Sequence, residues 1–235
     1  LKGQLYLDTG LDKVTTSIER IVTNAPLCGY HFAFGGGKDS IVVDELLKRS
    51  GVIYRKVYAQ TGIDPPELVS YIHLYHPDTI FQSHKMSMFA GIEKKGLPTR
   101  NRRWCCQYLK HFTSKGNFNV TGIRWAESSR RKKYGVISYL GSDKVLNPII
   151  DWTNYEVWDF IRDNDLPYCK LYDEGWTRLG CLICTMASKK ERLREAFLYP
   201  KICEAYRRAN QRFYDGKGRT ESEANEYFEQ WINYE

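Results

Sequence analysis

The chain has 235 residues, with 35 Lys and Arg against 28 Asp and Glu for a formal net charge of +7, and 42% of its residues are hydrophobic. Those figures exclude a peptide-sized, disulfide-stapled or disordered chain and suit a full globular core, while the basic balance favours anionic partners such as nucleotides or nucleic acid. Seven cysteines are too sparse for a disulfide scaffold, and no apolar run of about 18 residues exists for a membrane span. The opening residues lack a secretory signal pattern, so a cytoplasmic location is expected.

Residues 1–28 read as a lead-in segment. Residues 29–34 form a short aromatic strand running into Gly35-Gly36-Gly37, and residues 40–50 follow as a helix with apolar Ile41, Val42, Leu46 and Leu47. Residues 52–58 are β-branched and aromatic, as in a strand; Thr61-Gly62 follows, and Pro65-Pro66-Glu67 starts a helix over 68–75. A short strand is expected over 79–82 and another over 118–123. The basic run Arg130-Arg131-Lys132-Lys133 reads as a loop. Residues 147–151 read as a last strand before a helix over 154–163. Repeated strand-then-helix order predicts an α/β fold with a parallel sheet and helices on both faces. Residues 29–188 would form that domain. Residues 189–235 would form a charged C-terminal helical extension, with Tyr227, Phe228, Trp231 and Ile232 packing on the domain or on a homodimer partner.

The segment from Gly35 to Ser40 sits between a strand and a helix, where free backbone N–H groups and the helix dipole make an anion site. It is not a Walker A loop, because Phe32 and Asp39 occupy the positions that need Gly and Ser or Thr. Nor does it carry the dinucleotide spacing of glycines. A capped glycine turn is the plain alternative. The Gly-Gly-x-Asp-Ser pattern resembles the pyrophosphate loop of the adenine nucleotide α-hydrolase superfamily, whose sheet is Rossmann-like. That resemblance implies phosphate contacts from Gly35, Gly36, Gly37, Asp39 and Ser40, charge from Lys38, and a Mg²⁺ ligand in Asp39.

Cys105 and Cys106 are adjacent, and Cys181 and Cys184 form a Cys-x-x-Cys pair. Four thiolates suit a tetrahedral zinc site or a 4Fe–4S cluster, and the adjacent pair is awkward for a zinc knuckle. Cys28, Cys169 and Cys203 read as small buried hydrophobes. The pattern is similar to that of assimilatory adenylylsulfate reductases and the wider phosphoadenosine phosphosulfate (PAPS) reductase family. So are Thr61-Gly62, Thr121-Gly122-Ile123-Arg124 with Glu127-Ser128 and Arg130, Asn147-Pro148-Ile149-Ile150-Asp151-Trp152-Thr153 and Leu166-Pro167-Tyr168. The resemblance implies a 4Fe–4S cluster on Cys105, Cys106, Cys181 and Cys184. It places Thr61 and Gly62 on the adenosine side and Gly122, Arg124 and Arg130 at the sulfate or phosphates. Lys38, Asp39, Arg124 and Arg130 become the catalytic candidates. Glu127 is either a partner for Arg124 or Arg130 or an acid/base group.

Two departures from the family bear on activity. The thioredoxin-dependent reductases carry a nucleophilic cysteine in a Glu-Cys-Gly-(Leu or Ile)-His tail, whereas the last cysteine here is Cys203 in a helical setting. The phosphate loop is also closer to the Gly-Gly-Lys-Asp-Ser form of ATP-cleaving relatives. The first expectation is therefore an ATP- and Mg²⁺-dependent enzyme that adenylates an acceptor with release of pyrophosphate and uses its cluster in sulfur transfer, with a nucleic-acid sulfur acceptor. The second is a reductase of adenylylsulfate or PAPS giving sulfite, served by an external thiol or redox partner. The third is a nucleotide-binding, redox-sensing module.

Overall fold

The computed structural model describes residues 12–234, which divide by contact into two compact units. The first contains the described residues up to Ala59, with Pro66–Gln82 and Thr113–Leu179; the second contains Gln60–Pro65, Ser83–Phe112 and the residues from Gly180 onward. No helix among the described residues is long and apolar enough to cross a membrane.

The first unit opens with α1 (Lys13–Thr23), an element not anticipated within the lead-in, whose start is fixed by Asp12 accepting from the Thr15 N–H at 2.8 Å. β1 (Tyr30–Ala33) leads through the glycine loop into α2 (Lys38–Ser50), which ends on Gly51 at φ +67. Then come β2 (Tyr54–Gln60), α3 (Pro66–Tyr75) and β3 (Ile80–Ser83). The six-stranded sheet has the order β3-β2-β1-β4-β6-β5. Its later strands are β4 (Asn119–Val120), β5 (Ile137–Leu140) and β6 (Asp143–Leu146). β1 pairs in parallel with β2 and β4, β4 pairs in parallel with β6, and only the edge strand β5 is antiparallel to its neighbour. The mostly parallel, Rossmann-like α/β sheet is as expected.

Some expected boundaries need correcting. The strand over 118–123 shrinks to two residues, and 147–151 is a run of turns: the β5–β6 hairpin before it supplies the last strands. Ile149 and Ile150 are fully buried, so their apolar character reports burial rather than an extended backbone. Buried Asn147 shapes the turn, donating to Gly135 O and Ser138 Oγ and accepting from Thr121 Oγ1. The basic run forms a short 3-10 turn, Arg131–Lys133. The helix over 154–163 is present as α6 (Asn154–Asp163), after α4 (Met88–Lys95) and α5 (Trp104–Leu109) in chain order.

Phe32, Leu46, Leu47, Val157 and Phe160 belong to the first unit's core. It also encloses an ion network in which the Asp44 carboxylate meets Lys56 Nζ at 2.9 Å and Tyr54 OH at 3.2 Å. Burial alone would raise the Asp44 pKa. Hydrogen bonds from His76 and Lys56, with the charges of Lys56 and Lys48, outweigh it and hold the carboxyl well below its ordinary range.

In the second unit the C-terminal helices are α7 (Lys189–Leu198), α8 (Pro200–Asp215) and α9 (Glu221–Asn233). Ser188 and Thr220 start α7 and α9 with reciprocal capping boxes. Tyr206 of α8 stacks on Trp231 of α9 at 5.5 Å. Gly91 of α4 lies against Trp104 so closely that a Cβ there would come within 2.3 Å of the indole.

Candidate functional site

The sequence-selected residues fall into two groups, one in each unit. In the first, Gly36 takes φ +67, and a Cβ on it would come within 2.8 Å of Ile72 and Leu68 of α3. Glycine is thus required both by conformation and by packing. Gly37 is the N-cap of α2 and has no side chain with which to cap the helix, and the dipole at this end favours an anion. Ser40 Oγ turns back to Gly37 O at 2.8 Å, and Tyr172 OH accepts from the Lys38 N–H at 2.9 Å. Lys38 is largely buried; its ammonium lies 3.4 Å from both Asp39 Oδ2 and Thr177 O, long contacts that a phosphate oxygen could replace.

Asp39 is held from two sides. Gly122, two residues beyond β4, approaches so closely that a Cβ there would be 3.0 Å from the Asp39 backbone. Arg124, fully buried, donates from Nε to Asp39 Oδ1 at 2.7 Å, from Nη1 to Trp152 O at 3.0 Å and from Nη2 to Asn154 Oδ1 at 2.7 Å. Each guanidinium nitrogen is spent on protein, a placement that suits support of Asp39 rather than contact with an oxyanion. Glu127 partners Arg124 through the backbone, accepting its N–H at 2.9 Å. Arg130 is exposed, with no ion-pair partner among the described residues. Tyr172 and Asn154 escaped the sequence reading, and nothing local to either marks its contact with this loop.

The second group contains all four paired cysteines. Cys105 and Cys106 lie on α5; Cys181 and Cys184 flank a turn whose Gly180 and Ile183 have φ +155 and +54. All are free thiols and none is fully exposed. The Cys105 thiol is pushed up by its hydrogen bond with Cys106, by burial, and by the charges of Cys106, Cys181 and Cys184. Burial pushes Cys181 up to about 12 against the pull of the Lys110 ammonium. The Lys110 ammonium is favoured chiefly by the charge Cys181 carries once ionised, against its own burial, with Asp64 adding to it. Lys110 was missed in the sequence, although it follows Cys106 by one helical turn.

Thr61 joins this group: its hydroxyl donates to Asp64 Oδ2 at 2.7 Å and lies 3.6 Å from Cys181 Sγ. Gly62 is exposed at φ +77. Among the described residues no three His, Cys, Asp or Glu side chains stand at single-ion spacing. An iron–sulfur cluster asks for less convergence, because each thiolate binds a different iron. Of the remaining cysteines, Cys169 is buried as expected and Cys203 is partly so, whereas Cys28 is exposed, contrary to the reading of it as a core residue.

Residues 29–187 match the phosphoadenosine phosphosulfate reductase domain family. The chain is 30% and 28% identical to two uncharacterized proteins of Methanocaldococcus jannaschii, over 72% and 74% of its length, but covers only 44% and 40% of theirs. It is 27% identical over 66% of its length to the adenosine 5'-phosphosulfate reductase of Allochromatium vinosum, covering 68% of that protein. Among solved structures, phosphoadenylyl-sulfate reductase from Candida auris superposes with a TM-score of 0.56 at 18% identity, over 75% of this chain and 91% of that one. Candida glabrata FMN adenylyltransferase bound to ATP gives 0.54 at 19% identity, over 72% and 60%. Both likenesses concern the fold.

Proposed function

Because the chain belongs to the phosphoadenosine phosphosulfate reductase domain family, we propose that it is an adenine-nucleotide-dependent enzyme of sulfur metabolism that transfers the adenylyl group of ATP to an acceptor oxygen, releasing pyrophosphate, and so activates the acceptor for displacement of AMP by sulfur. The observation that carries this reading is the phosphate loop: a helix start whose N-cap glycine leaves room for an anion, the buried Lys38 beside it, and Asp39 fixed by Arg124. Positioning and charge neutralisation supply most of the catalysis in such chemistry. Lys38 offsets charge on the leaving pyrophosphate, Asp39 Oδ2 offers a carboxylate oxygen to Mg²⁺, and Arg124 keeps Asp39 in place. Exposed Arg130 is the cation that meets the substrate's outer oxyanion. A nucleic acid is the proposed sulfur acceptor, consistent with the +7 charge.

Cys105, Cys106, Cys181 and Cys184 would hold a 4Fe–4S cluster. The presence of all four in one compact unit, with the half-buried Lys110 ammonium drawn to Cys181, supports a thiolate-rich, net-negative group. When bound, such a cluster supplies polarisable thiolate-ligated iron for sulfur or electron transfer. Thr61 and Lys110 orient and balance the Cys181 thiolate.

A second reading, reduction of adenylylsulfate or PAPS with an outside thiol, is favoured by the Allochromatium vinosum relative. Equilibrium binding of ATP, adenylylsulfate and PAPS to cluster-loaded protein with Mg²⁺ separates the two. Preference for ATP, with pyrophosphate released on turnover, is the expected result. Preference for a sulfated nucleotide, with sulfite released from a thiol donor, refutes the ATP reading.

A further inference from the structure

The family match ends at residue 187, before α7 begins, yet the helices beyond it grip the segment that carries Cys181 and Cys184. Only Leu182 and Ile183 separate those cysteines, and both are buried. Ile183 sits at φ +54, a left-handed conformation that a β-branched residue keeps only where its surroundings over-determine it.

Three tethers do so. The Leu182 N–H donates to Ile63 O at 2.8 Å. The Ile183 N–H donates to the carboxylate of Glu195 on α7 at 2.5 Å. Tyr206 of α8 donates its hydroxyl to Leu182 O at 3.4 Å. Glu195 is nearly buried and Tyr206 wholly so. Tyr206 is itself fixed by its stack on Trp231, whose indole N–H donates to Pro98 O at 2.6 Å, in the stretch leading to Cys105.

We infer that Glu195 and Tyr206 are positioning residues that hold the Cys181–Cys184 turn in its ligand-presenting conformation, which makes the C-terminal helices a brace for the thiol site. The inference rests on reading the four cysteines as one ligand set. Glu195 is the closer tether, at 2.5 Å against 3.4 Å for Tyr206, and it bonds the left-handed residue itself. Its role is to accept a hydrogen bond, not to supply charge, since an anion beside thiolates gains nothing from its sign. Glutamine, whose amide oxygen also accepts, should therefore substitute for it.

The test uses the full chain, reconstituted anaerobically with iron and sulfide, as wild type, Glu195→Ala, Glu195→Gln and Tyr206→Phe. Circular dichroism verifies folding, and the readouts are iron per chain and the rate of iron release to a chelator. Glu195→Ala should release iron about tenfold faster than wild type. Glu195→Gln should stay within about threefold, and Tyr206→Phe should lie between wild type and Glu195→Ala. A wild-type release rate in Glu195→Ala overturns the inference. If that variant does not fold, a wild-type rate in the near-isosteric Tyr206→Phe overturns it instead. Failure of the wild type itself to take up iron would count against the cofactor alone. The brace is then judged on metal-free protein by alkylation of Cys181 and Cys184: about tenfold faster reaction in Glu195→Ala supports it, and equal rates overturn it.

Discussion

Replacing Arg124 with lysine probes the phosphate loop at its support. The change keeps the charge but exchanges a planar, three-nitrogen fork for one ammonium on a shorter reach. In the wild type the fork satisfies Asp39, Trp152 O and Asn154 over 2.7, 3.0 and 2.7 Å. An ammonium at that point can keep one of the three. The two lost charge-assisted bonds would contribute about 1.5–3 kcal/mol each if fully buried. The Asp39 side chain is 22% exposed, so solvent screens part of its share, and about 3 kcal/mol of stability should disappear. Arg124→Ala removes the cation altogether and should cost about 4 kcal/mol. Urea denaturation measures both. Calorimetric titration with Mg²⁺ and ATP then asks whether Asp39 has lost its orientation, the expected signature being affinity about tenfold or more weaker in Arg124→Lys. A lysine variant within about 0.5 kcal/mol of wild type, with unchanged nucleotide affinity, would refute the reasoning.

Gly122→Ala should act on the same carboxylate by crowding: its Cβ would lie 3.0 Å from the Asp39 backbone, costing about 1–3 kcal/mol in urea denaturation and weakening nucleotide binding. Unaltered stability and affinity would show that the close approach has slack. His31 on β1 is buried with neither ring nitrogen hydrogen-bonded; burial and then the Arg55 charge lower its pKa from 6.5 to about 4. Because its folded pKa lies below the unfolded value, its stability contribution is whole above about pH 6.5. It is lost as pH falls toward about 4, by about 3 kcal/mol. Stability measured across that window should fall less steeply in His31→Phe, and an identical slope would remove His31 as the cause.

The strand, glycine loop and α2 were legible because Gly36 marks a left-handed turn with no room for a Cβ, and Ile41, Val42, Leu46 and Leu47 repeat with helical spacing. The cysteine pairs were legible from thiol spacing alone, and all four do lie in one unit. Arg124 was found, but whether its guanidinium faces a ligand or Asp39 depends on Trp152 and Asn154, far along the chain. The run over 147–151 misled because Ile149 and Ile150 are as apolar as strand residues, while the turn is set by Asn147 through side-chain bonds that no local pattern announces. Thr61 also bonds Asp64 beside Cys181, a link to the thiol group that no local pattern announces.

β4 offers only Asn119 and Val120, and the ladders to β1 on one side and β6 on the other both run through that pair of residues. Amide hydrogen exchange should expose the seam this makes. Opening it costs few backbone bonds, so the β5–β6 hairpin should exchange its protons as one cooperative group, at a free energy below that of global unfolding. β1, registered with β2 over four residues, stays protected during that opening. The glycine loop and α2 emerge from β1, so the anion-facing end of the helix keeps its anchor while the far edge of the sheet breathes.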